Sequence, residues 1–481
     1  MEPTISRIPS LHSSDIPPSS LTTNLLRKSR RQSLSTPSTT TSLWGRRYHH
    51  GTWLHSISCL CIMLSCPCLV IFYWISLSSF NGSLFNAGIS IFDLKPSKFI
   101  STYAPRLDAT VTLWYFAWLA FQVVLFQYLP TKISTGQLTP AGHRLEYRTN
   151  GLLAWLVSHV LFSGAVAVGI VDAAIIAKNW GQLLVVANLT GFLLAGLAYL
   201  KARVWPTYEK DSKFSGSFFY DLYMGVELNP RIGQSFDFKL FTNTRPGIVA
   251  WTLIDLSFLA LQKQLHGCIT NSIILATSLH TIYVLDLFIN EDWYVRTIDI
   301  THDHFGFYLG WGSLAWLPSM YTLQVQYLAL HNPPASDLSD LATVCIACVG
   351  VAAYALFRSV NYQKDLVRRT EGECMIWGRK AKVLRVKYRT GEGGMHSTVL
   401  SCGGWWGLAR HVNYVGDLVM AYAMCATCGL ENLLPWTYAI FMTILLIHRS
   451  WRDEERCAKK YGKGWEAYCE KVRWTMIPGF Y

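Results

Sequence analysis

Long apolar segments separated by short polar stretches fill most of this 481-residue chain. Charged residues make up only 15% of the sequence, whereas soluble domains usually carry about 25%. A helix needs about 20 mostly apolar residues to cross a bilayer. The candidate segments lie at 53–80, 111–129, 151–176, 181–200, 247–261, 268–290, 305–330, 341–358, 414–430 and 433–448. The sequence therefore predicts an all-α, polytopic membrane protein in which about ten transmembrane helices form one bundle.

The first 50 residues differ from the rest because they are rich in Ser, Thr and Pro, as in "SLSTPSTTTS". Such a composition cannot bury enough apolar surface to fold. We therefore expect residues 1–50 to form a disordered cytosolic tail and residues 51–481 to form the membrane domain. No charged-then-apolar signal peptide stands at the start, so the first spanning segment should act as the insertion signal.

Positive charge is concentrated in three segments. Residues 1–50 hold seven Lys/Arg against two acids, residues 358–389 hold ten against three, and residues 449–473 hold eight against five. With ten spans these segments fall on one side of the membrane, together with 130–150 and 201–246. The positive-inside rule makes that side cytosolic, so both termini are predicted to lie in the cytosol.

The segment 290–304 does not follow this pattern, because it is acidic although it should face the cytosol. Either the neighbouring span is misplaced, or the segment folds back into the protein as pocket-lining backbone can. Its "HDH" run (302–304) offers two histidines without a third ligand nearby, and catalytic zinc usually has three protein ligands. Cysteine pairs within 341–358 and 414–430 are interpreted as apolar packing residues. We therefore expect no metal site.

The C-terminal segment "HRSWRDEERCAKKYGKGWEAYCEKV" mixes both signs of charge with Tyr461, Trp465 and Tyr468. Arg and Lys pair with phosphates, while aromatic rings stack on a base, so the mixture suits a polyanionic ligand with a ring. The alternative interpretation is a solvated amphipathic helix. No glycine-rich dinucleotide fingerprint follows a predicted strand, so a dinucleotide would have to bind in another fold.

A second polar cluster lies in "WWGLARHVNYVGDL" (405–418), at the start of an apolar segment. Arg410, His411, Asn413 and Asp417 would be costly to bury unless each has a partner or a task. These residues are therefore candidates for a functional site.

These motifs resemble the sterol reductase family of the endoplasmic reticulum. The resemblance covers residues 130–481 at least, and the first 50 residues show no useful match. Within the family, "RPGIVAWTLI" and "HDHFGFYLGWG" favour members that reduce carbon 7 of the sterol over their carbon-14 and carbon-24 relatives. Further segments that carry the resemblance are "TPAG", "NGLLAWLVSH", "FFYDLYMGVELNPRIGQSFDFKLF", "NYQKDLVRRTEGECMIWGRK" and "WWGLARHVNYVGDL".

The resemblance implies a ten-helix bundle in the endoplasmic reticulum membrane, with NADPH near the cytosolic end and a sterol pocket open to the bilayer. The cofactor-binding part would lie mainly within 358–481. Lys364 and Arg368 would reach the NADPH phosphates. An extra residue in "SCGGWWG" leaves Leu400 and Ser401 as alternatives for one position. The other implied cofactor residues are Trp406, Arg410, His411, Asn413, Tyr414, Asp453, Cys457, Ala458, Lys459, Lys460, Tyr461 and Tyr468.

The reaction implied by the family is reduction of a sterol C=C bond by proton addition followed by hydride transfer. A proton-donating side chain must therefore lie within the membrane. A carboxyl group inside a membrane-spanning segment is costly to bury, which makes it a candidate for function. We predict that Asp417 is this acid and that Tyr308 is the phenol that shares its proton. Trp311 and Trp405 would face the cationic substrate. The alternatives are a structural Asp417 bonded to Arg410 and an interfacial Tyr308.

Other functions remain open from the sequence. Within the family, the chain could reduce carbon 14 or bind sterol without catalysis. The C-terminal half of a prenylcysteine carboxyl methyltransferase has a similar motif pattern. The ten predicted spans and the Lys364/Arg368 pair argue against this function. A transporter is disfavoured because no internal repeat is visible. Expected partners are a sterol from the bilayer, membrane lipid and other enzymes of sterol biosynthesis; no nucleic acid is expected.

Overall fold

The computed structural model describes residues 52–139, 141–331, 337–389 and 395–481. The predicted tail (1–50) lies outside these residues. The described chain is mostly helical, as predicted. Its helices are α1 (Trp53–Ser79), α2 (Leu84–Leu94), α3 (Pro96–Tyr103), α4 (Ala109–Tyr128), α5 (Gly151–Ala167), α6 (Ile175–Lys178), α7 (Trp180–Val204), α8 (Phe218–Met224), α9 (Phe238–Thr244), α10 (Pro246–His266), α11 (Asn271–Ile289), α12 (Glu291–Tyr294), α13 (Ile298–Thr301), α14 (Phe307–Trp311), α15 (Leu317–Met320), α16 (Leu323–Leu330), α17 (Asp340–Arg369), α18 (Val412–Ala426), α19 (Thr437–Tyr461) and α20 (Lys463–Lys471).

The all-α prediction missed four antiparallel hairpins within the described residues. Their strands are β1 (Lys132–Leu138) with β2 (Arg144–Thr149), β3 (Arg231–Ile232) with β4 (Phe236–Asp237), β5 (Met375–Ile376) with β6 (Arg379–Lys380), and β7 (Val383–Arg389) with β8 (Met395–Ser401). The sequence of β7, "VLRVKYR", alternates apolar and basic residues, which is the period of a half-buried strand. The hairpins lie in segments predicted to be cytosolic loops.

In the part of the chain that the structure describes, six helical segments are long and apolar enough to cross a membrane. They are Trp53–Ser79, Ala109–Tyr128, Trp180–Val204, Phe238–His266, Asn271–Ile289 and Asp340–Arg369. Helices α2, α5 and α18 are apolar but shorter. The structure therefore supports a helical membrane protein, whereas the full number of ten spans remains a prediction.

The predicted span 305–330 is not one regular helix. It consists of α14, a π-helical turn at Gly312–Trp316, α15 and α16. Pro318 lies in the first turn of α15, where the ring is tolerated. The π turn aims Ser313 at α9, and its hydroxyl donates to Asn243 Oδ1 at 3.0 Å. Such bulges are frequent at functional sites.

The acidic segment 290–304 folds back into the protein, which was one of the two interpretations of its charge. Residues 300–305 are all buried. The buried Lys239 ammonium on α9 donates to the carbonyls of Ile300 (2.6 Å) and Asp303 (2.8 Å). The segment is thereby fixed beside the C-terminal helices.

The C-terminal part is built on the close pair α17 and α18. At Gly416, a side chain would lie 2.9 Å from the backbone of Ala353 and of Phe357. Glycine therefore lets the two helices approach through their backbones. Helix α19 packs against α18, and the hairpin β7–β8 packs against α19 and α20. These elements bring the predicted site residues together.

Candidate functional site

Arg410 precedes α18 and holds the C-terminal segment. Its guanidinium donates to Glu454 Oε1 (2.5 Å), to the carbonyls of Val472 (2.6 Å) and Arg473 (2.9 Å), and to Thr475 Oγ1 (3.1 Å). Each of its three nitrogens is thus engaged within the chain. The side chain fixes α19 and the C-terminal segment relative to the start of α18, and it is not paired with Asp417.

Asp453 on α19 is the anionic centre of the site. His411 Nε2 lies 3.3 Å from its Oδ2 atom, and Arg456 donates to its Oδ1 atom from both Nη2 and Nε, the latter at 3.1 Å. Burial alone would raise the pKa of Asp453, but Arg456, His411 and Lys364 lower it well below its usual value. The carboxylate therefore stays charged and is neutralised by its neighbours.

Arg456 also connects this centre to the folded-back segment, because its Nη1 atom lies 3.3 Å from His302 Nε2. Burial lowers the pKa of His302 well below its ordinary value, and Arg456 and Lys460 lower it further. The imidazole is therefore neutral and accepts from Arg456 through Nε2. The "HDH" run thus contributes a hydrogen-bond acceptor. Among the described residues, no group of three or more His, Cys, Asp or Glu side chains is arranged to hold a metal ion.

Lys364 and Arg368 lie one turn apart on α17, on the face toward Asp453 and Arg456. The Lys364 ammonium stands 4.6 Å from the centre of the Trp406 ring. Trp406 Nε1 donates to the carbonyl of Val360 at 2.8 Å, which fixes the indole against the same helix. The resemblance had assigned all three residues to the cofactor, and the structure brings them together.

Only part of the run from Cys457 to Tyr461 faces this cluster. Cys457 is buried with Leu400 and Tyr468 in one hydrophobic cluster, whereas Ala458 and Lys459 are exposed on the opposite face of α19. Lys459 pairs with Glu455 at 2.6 Å. Consecutive residues of a helix point in different directions, so only part of an unbroken run can face one side.

Of the two alternatives at the end of β8, Leu400 points inward, while Ser401 Oγ donates to the Gly403 carbonyl at 3.4 Å. At the start of α18, the Tyr414 ring stacks with His411 at 5.2 Å. The buried Asn413 Oδ1 atom has no hydrogen-bond partner among the described residues. It is available to a ligand amide or hydroxyl.

Lys460 stands between two aromatic rings at the end of α19. Its Nζ atom is 4.3 Å from the centre of the Tyr388 ring and 5.3 Å from that of Tyr461. Burial, followed by the charges of Arg456 and Arg368, lowers the pKa of Lys460 to about 8. Both effects disfavour its charged form, and an added anion would restore it.

Asp417 lies one turn after Asn413 on α18 and faces a different set of residues. The Tyr283 hydroxyl on α11 donates to its carboxyl group, and Arg449 on α19 interacts with it electrostatically. The phenols of Tyr321 and Tyr438 also lie within its electrostatic range. The structure therefore places Tyr283, and not Tyr308, beside Asp417.

Tyr308 lies beside a different carboxyl group, that of Asp303, which pairs with Arg452. Asp299, one turn earlier in the chain, pairs with Arg449. Sequence reasoning missed Tyr283 and these two ion pairs. The signal was present in the spacings, because the two acids stand at i and i+4 and the two arginines at i and i+3, each about one helical turn apart.

The two tryptophans predicted to face the substrate lie apart. Trp311 belongs to the main hydrophobic cluster of the bundle and donates to Asn188 Oδ1 at 2.7 Å. Trp405 packs with Trp406 and donates to Ser359 Oγ at 2.9 Å. Trp405 is thus placed with the cationic cluster and not with Trp311.

An apolar groove of about 490 Å³ lies along the Asp417 helix, between α17 and α18. It is lined by apolar side chains that include Ile346, Val349, Val415, Leu418 and Trp436. Asp417 is not among the lining residues, because the helical positions that line the groove, such as Val415 and Leu418, lie on another face of α18. The groove is large enough to receive several fused hydrocarbon rings.

Comparison with known proteins gives a consistent result. Residues 49–481 match the protein family described as "Ergosterol biosynthesis ERG4/ERG24 family". The chain is 44% identical to the 7-dehydrocholesterol reductase of Xenopus laevis, over 91% of this chain and 96% of that protein. It is 42% identical to the protein of the same name from Danio rerio, over 92% and 95% of the two chains. The Delta(14)-sterol reductase of Methylotuvimicrobium alcaliphilum is 37% identical, over 88% and 95%.

Proposed function

The chain belongs to the ergosterol biosynthesis ERG4/ERG24 family of sterol reductases, and from this premise we propose that it uses NADPH to reduce the 7,8 double bond of a 5,7-diene sterol such as 7-dehydrocholesterol. The relatives from Xenopus laevis and Danio rerio are named 7-dehydrocholesterol reductase. They are more similar to the chain than the bacterial Delta(14)-sterol reductase is. Sterol reduction at carbon 14 is therefore the second candidate.

The observation that carries this proposal is the arrangement of one helix. The start of α18 presents His411, Asn413 and Tyr414 to the charged cluster on α17 and α19. One turn further along, Asp417 faces Tyr283 inside the bundle. A charged cofactor and an apolar substrate can therefore meet along the same helix, as reduction of a sterol requires.

The residues of the charged cluster fit NADPH. Lys364, Arg368, Arg456 and Lys460 carry four positive charges, and Asp453 supplies the carboxylate that lies among them. The described residues of the cluster therefore carry a surplus of positive charge, and burial, followed by Arg456 and Arg368, lowers the pKa of Lys460 to about 8. Phosphate groups would neutralise this surplus. Trp406, Tyr414 and Tyr461 offer rings, while Leu400, Cys457 and Tyr468 form an apolar floor.

The chemistry has two requirements. A sterol C=C bond has no carbonyl to polarise, so it must be protonated before it accepts hydride, and NADPH supplies that hydride when bound. In a 5,7-diene, protonation at carbon 8 leaves an allylic cation centred on carbon 7. The Tyr283 hydroxyl and the Asp417 carboxyl share one hydrogen bond and can deliver this proton. Trp311 is the nearer of the two predicted tryptophans to the bundle core and would face the cation.

We place the sterol entrance at the apolar groove between α17 and α18, since it opens beside the Asp417 helix. We also propose that the chain lies in the endoplasmic reticulum membrane with both termini in the cytosol, and that it associates there with other enzymes of sterol biosynthesis. The concentration of Lys and Arg in 358–389 and 449–473 supports this orientation.

The test is a reductase assay in microsomes of yeast that lack sterol reductases. Microsomes with the full chain receive NADPH and 7-dehydrocholesterol, and loss of the diene's ultraviolet absorption is followed while mass spectrometry identifies the product. We expect loss of the 7,8 bond with the unaltered chain, no loss with Asp417→Ala, and slower loss with Lys364→Ala.

Two further variants separate the phenols. Tyr283→Phe should lower turnover more than Tyr308→Phe, because Tyr283 bonds Asp417 directly. Reduction of a 14,15-unsaturated sterol with an intact 5,7-diene would move the function to the second candidate. No turnover of either sterol by folded protein would contradict the proposal and favour sterol binding without catalysis.

A further inference from the structure

Two buried titratable side chains between α10 and α11 take no part in the proposed chemistry. His280 Nδ1 lies 3.0 Å from Asp255 Oδ2, and both side chains are 0% exposed. The other polar atoms of the pair, Asp255 Oδ1 and His280 Nε2, have no hydrogen-bond partner among the described residues. A pair of this kind inside a membrane-spanning bundle is costly to bury, so it is a candidate for a functional role.

The pair packs against a buried tryptophan. Trp251 lies one turn before Asp255 on α10, and its ring centre is 5.4 Å from that of His280, in an edge contact. The indole is 1% exposed, and its N–H group has no hydrogen-bond partner in the part of the chain that the structure describes. Packing therefore sets the position of this indole without the help of a hydrogen bond.

The same indole contacts two phenols near the proposed acid. Its ring centre is 5.6 Å from that of Tyr283 and 5.1 Å from that of Tyr321, the latter in a perpendicular contact. Both phenols lie within the electrostatic range of Asp417. Their hydroxyl groups nevertheless have different partners, because Tyr283 donates to Asp417 whereas Tyr321 donates to Met442 Sδ at 3.5 Å. A rigid ring packed against both phenols limits the positions that each hydroxyl can take.

We propose that Trp251, supported by the Asp255–His280 pair, is a positioning residue that holds the Tyr283 hydroxyl on Asp417. The inference rests on the proposed function, because Tyr283 and Asp417 are the proposed proton donor. Reacting groups are sensitive to small displacements, and a misplacement of about 1 Å can lower a rate about 10²-fold. Loss of the indole ring should therefore lower kcat more than it changes KM, since it alters the geometry of the donor.

The kinetic test is reduction of 7-dehydrocholesterol with NADPH by the purified full chain in detergent, with kcat given per folded molecule. Trp251→Met removes the ring and refills part of its volume with a flexible apolar side chain. We expect this variant to lower kcat about tenfold or more, and we expect Trp251→Phe, which keeps a ring, to retain most of the activity. Trp180→Met is the matched control. Its buried indole contacts Phe258 and donates to Gln326 Oε1 at 3.0 Å, so kcat should stay nearly unchanged.

A double-mutant cycle shows whether Trp251 acts through the Tyr283 hydroxyl. The Tyr283→Phe chain has no hydroxyl to position at residue 283. Adding Trp251→Met to it should therefore lower kcat by less than about twofold further, whereas two independent effects would multiply. Multiplied losses, or an equal loss of kcat in Trp180→Met, would overturn the proposal.

A second measurement does not depend on turnover. A 3-fluorotyrosine is placed at position 283, and the fluorine NMR signal of the purified chain is recorded. We expect this signal to shift and broaden in Trp251→Met but not in Trp180→Met. The combined change Asp255→Leu and His280→Leu removes the support of the indole without leaving a buried polar group unpaired, and it should shift the same signal.

The two measurements separate the inference from the proposed function. An unchanged fluorine signal both in Trp251→Met and in the combined variant would overturn the positioning role. Failure of the unaltered chain to reduce the sterol would instead contradict the proposed function, while the fluorine signal would still decide whether Trp251 positions Tyr283.

Discussion

Asp417 is the residue on which the proposed chemistry depends. It is held by Tyr283 on α11 and lies near Arg449 on α19. An amide at this position keeps the shape of the side chain but cannot carry the proton. We predict that Asp417→Asn lowers kcat about 10²-fold or more, the usual contribution of a positioned acid, with a smaller change in KM. Steady-state kinetics with 7-dehydrocholesterol measures both values.

The control for this change is Asp286→Asn. Asp286 lies one turn after Tyr283 on α11, but its carboxyl group pairs with Arg358 at 3.1 Å and accepts from Tyr354 and Asn290. Its loss should reduce the amount of folded protein but leave kcat per folded molecule nearly unchanged. Equal kcat in Asp417→Asn and Asp286→Asn would refute the role given to Asp417.

Lys460 predicts a pH dependence of binding. Its pKa lies at about 8 in the ligand-free chain, because burial and then Arg456 and Arg368 disfavour its charge. The ammonium is therefore present below about pH 8 and is lost above it, while a phosphomonoester completes its second ionisation near pH 6. The probe 2′,5′-ADP carries the ribose phosphomonoester of the proposed cofactor NADPH, and its affinity should be greatest between these values and fall as the pH rises through 8.

Titration calorimetry from pH 6 to pH 9.5 measures this dependence. Arg368 and Arg456 keep their charge throughout this range, so the change comes from the lysines of the cluster. In Lys460→Gln the decline above pH 8 should be smaller, because only Lys364 remains to lose its charge. A decline of the same size in Lys460→Gln would show that another group is responsible.

At the scale of elements, the site depends on how the segment 290–304 is held. The segment is anchored where the backbones of Gly225 and Gly306 meet. Gly225 has φ +82°, and a Cβ atom added to it would lie 2.3 Å from the Phe305 carbonyl carbon. Gly225 must also adopt a left-handed conformation that favours glycine. This contact positions the chain just before Tyr308 and just after the acids of the folded-back segment.

We predict that Gly225→Ala destabilises the protein by more than about 1 kcal/mol and lowers its melting temperature in detergent. Gly216→Ala is the matched control, because Gly216 has φ +84° but nothing within 4 Å of the added carbon. Both positions have nearly the same positive φ, so the difference in melting temperature reports mainly the clash. Equal melting temperatures would contradict the close approach.

The elements also show what sequence reasoning could reach. His411 was predicted because a charged residue at the start of an apolar helix needs a partner, and the structure supplies Asp453. The Asp303–Arg452 pair was not predicted, because it joins residues 149 positions apart and depends on the fold-back of one segment. The hairpin β7–β8 was missed because its segment was read as a basic loop, although the alternating pattern of β7 was visible.

At the scale of the whole molecule, the charge distribution predicts the orientation in the membrane. Both termini and the hairpin β7–β8 should face the cytosol, since the basic segments around them follow the positive-inside rule. Protease treatment of intact microsomes should remove epitope tags from both ends, while a tag in the loop between α10 and α11 should be protected. Protection of either terminus would require a different number of spans.

Hydropathy alone does not establish the number of membrane spans in this chain. Helix α1 is a continuous apolar stretch and was predicted nearly at its observed bounds, whereas α17 continues beyond the predicted end at residue 358 to Arg369, because its last turns are polar. The predicted span at 305–330 is interrupted by a π turn, because its Gly and Pro residues and its polar contacts to α9 serve the protein interior. Segments that line a site do not need the regular pattern of a lipid-facing helix.

The most direct test of the central claim follows the proton. The purified chain is supplied with 7-dehydrocholesterol and NADPH in D₂O, and the product is examined by mass spectrometry and NMR. If an acid that exchanges with solvent protonates carbon 8 and NADPH delivers hydride to carbon 7, the reduced sterol should contain one solvent deuterium, at carbon 8 and not at carbon 7. An intact diene, or a reduced product without solvent deuterium, would contradict the account.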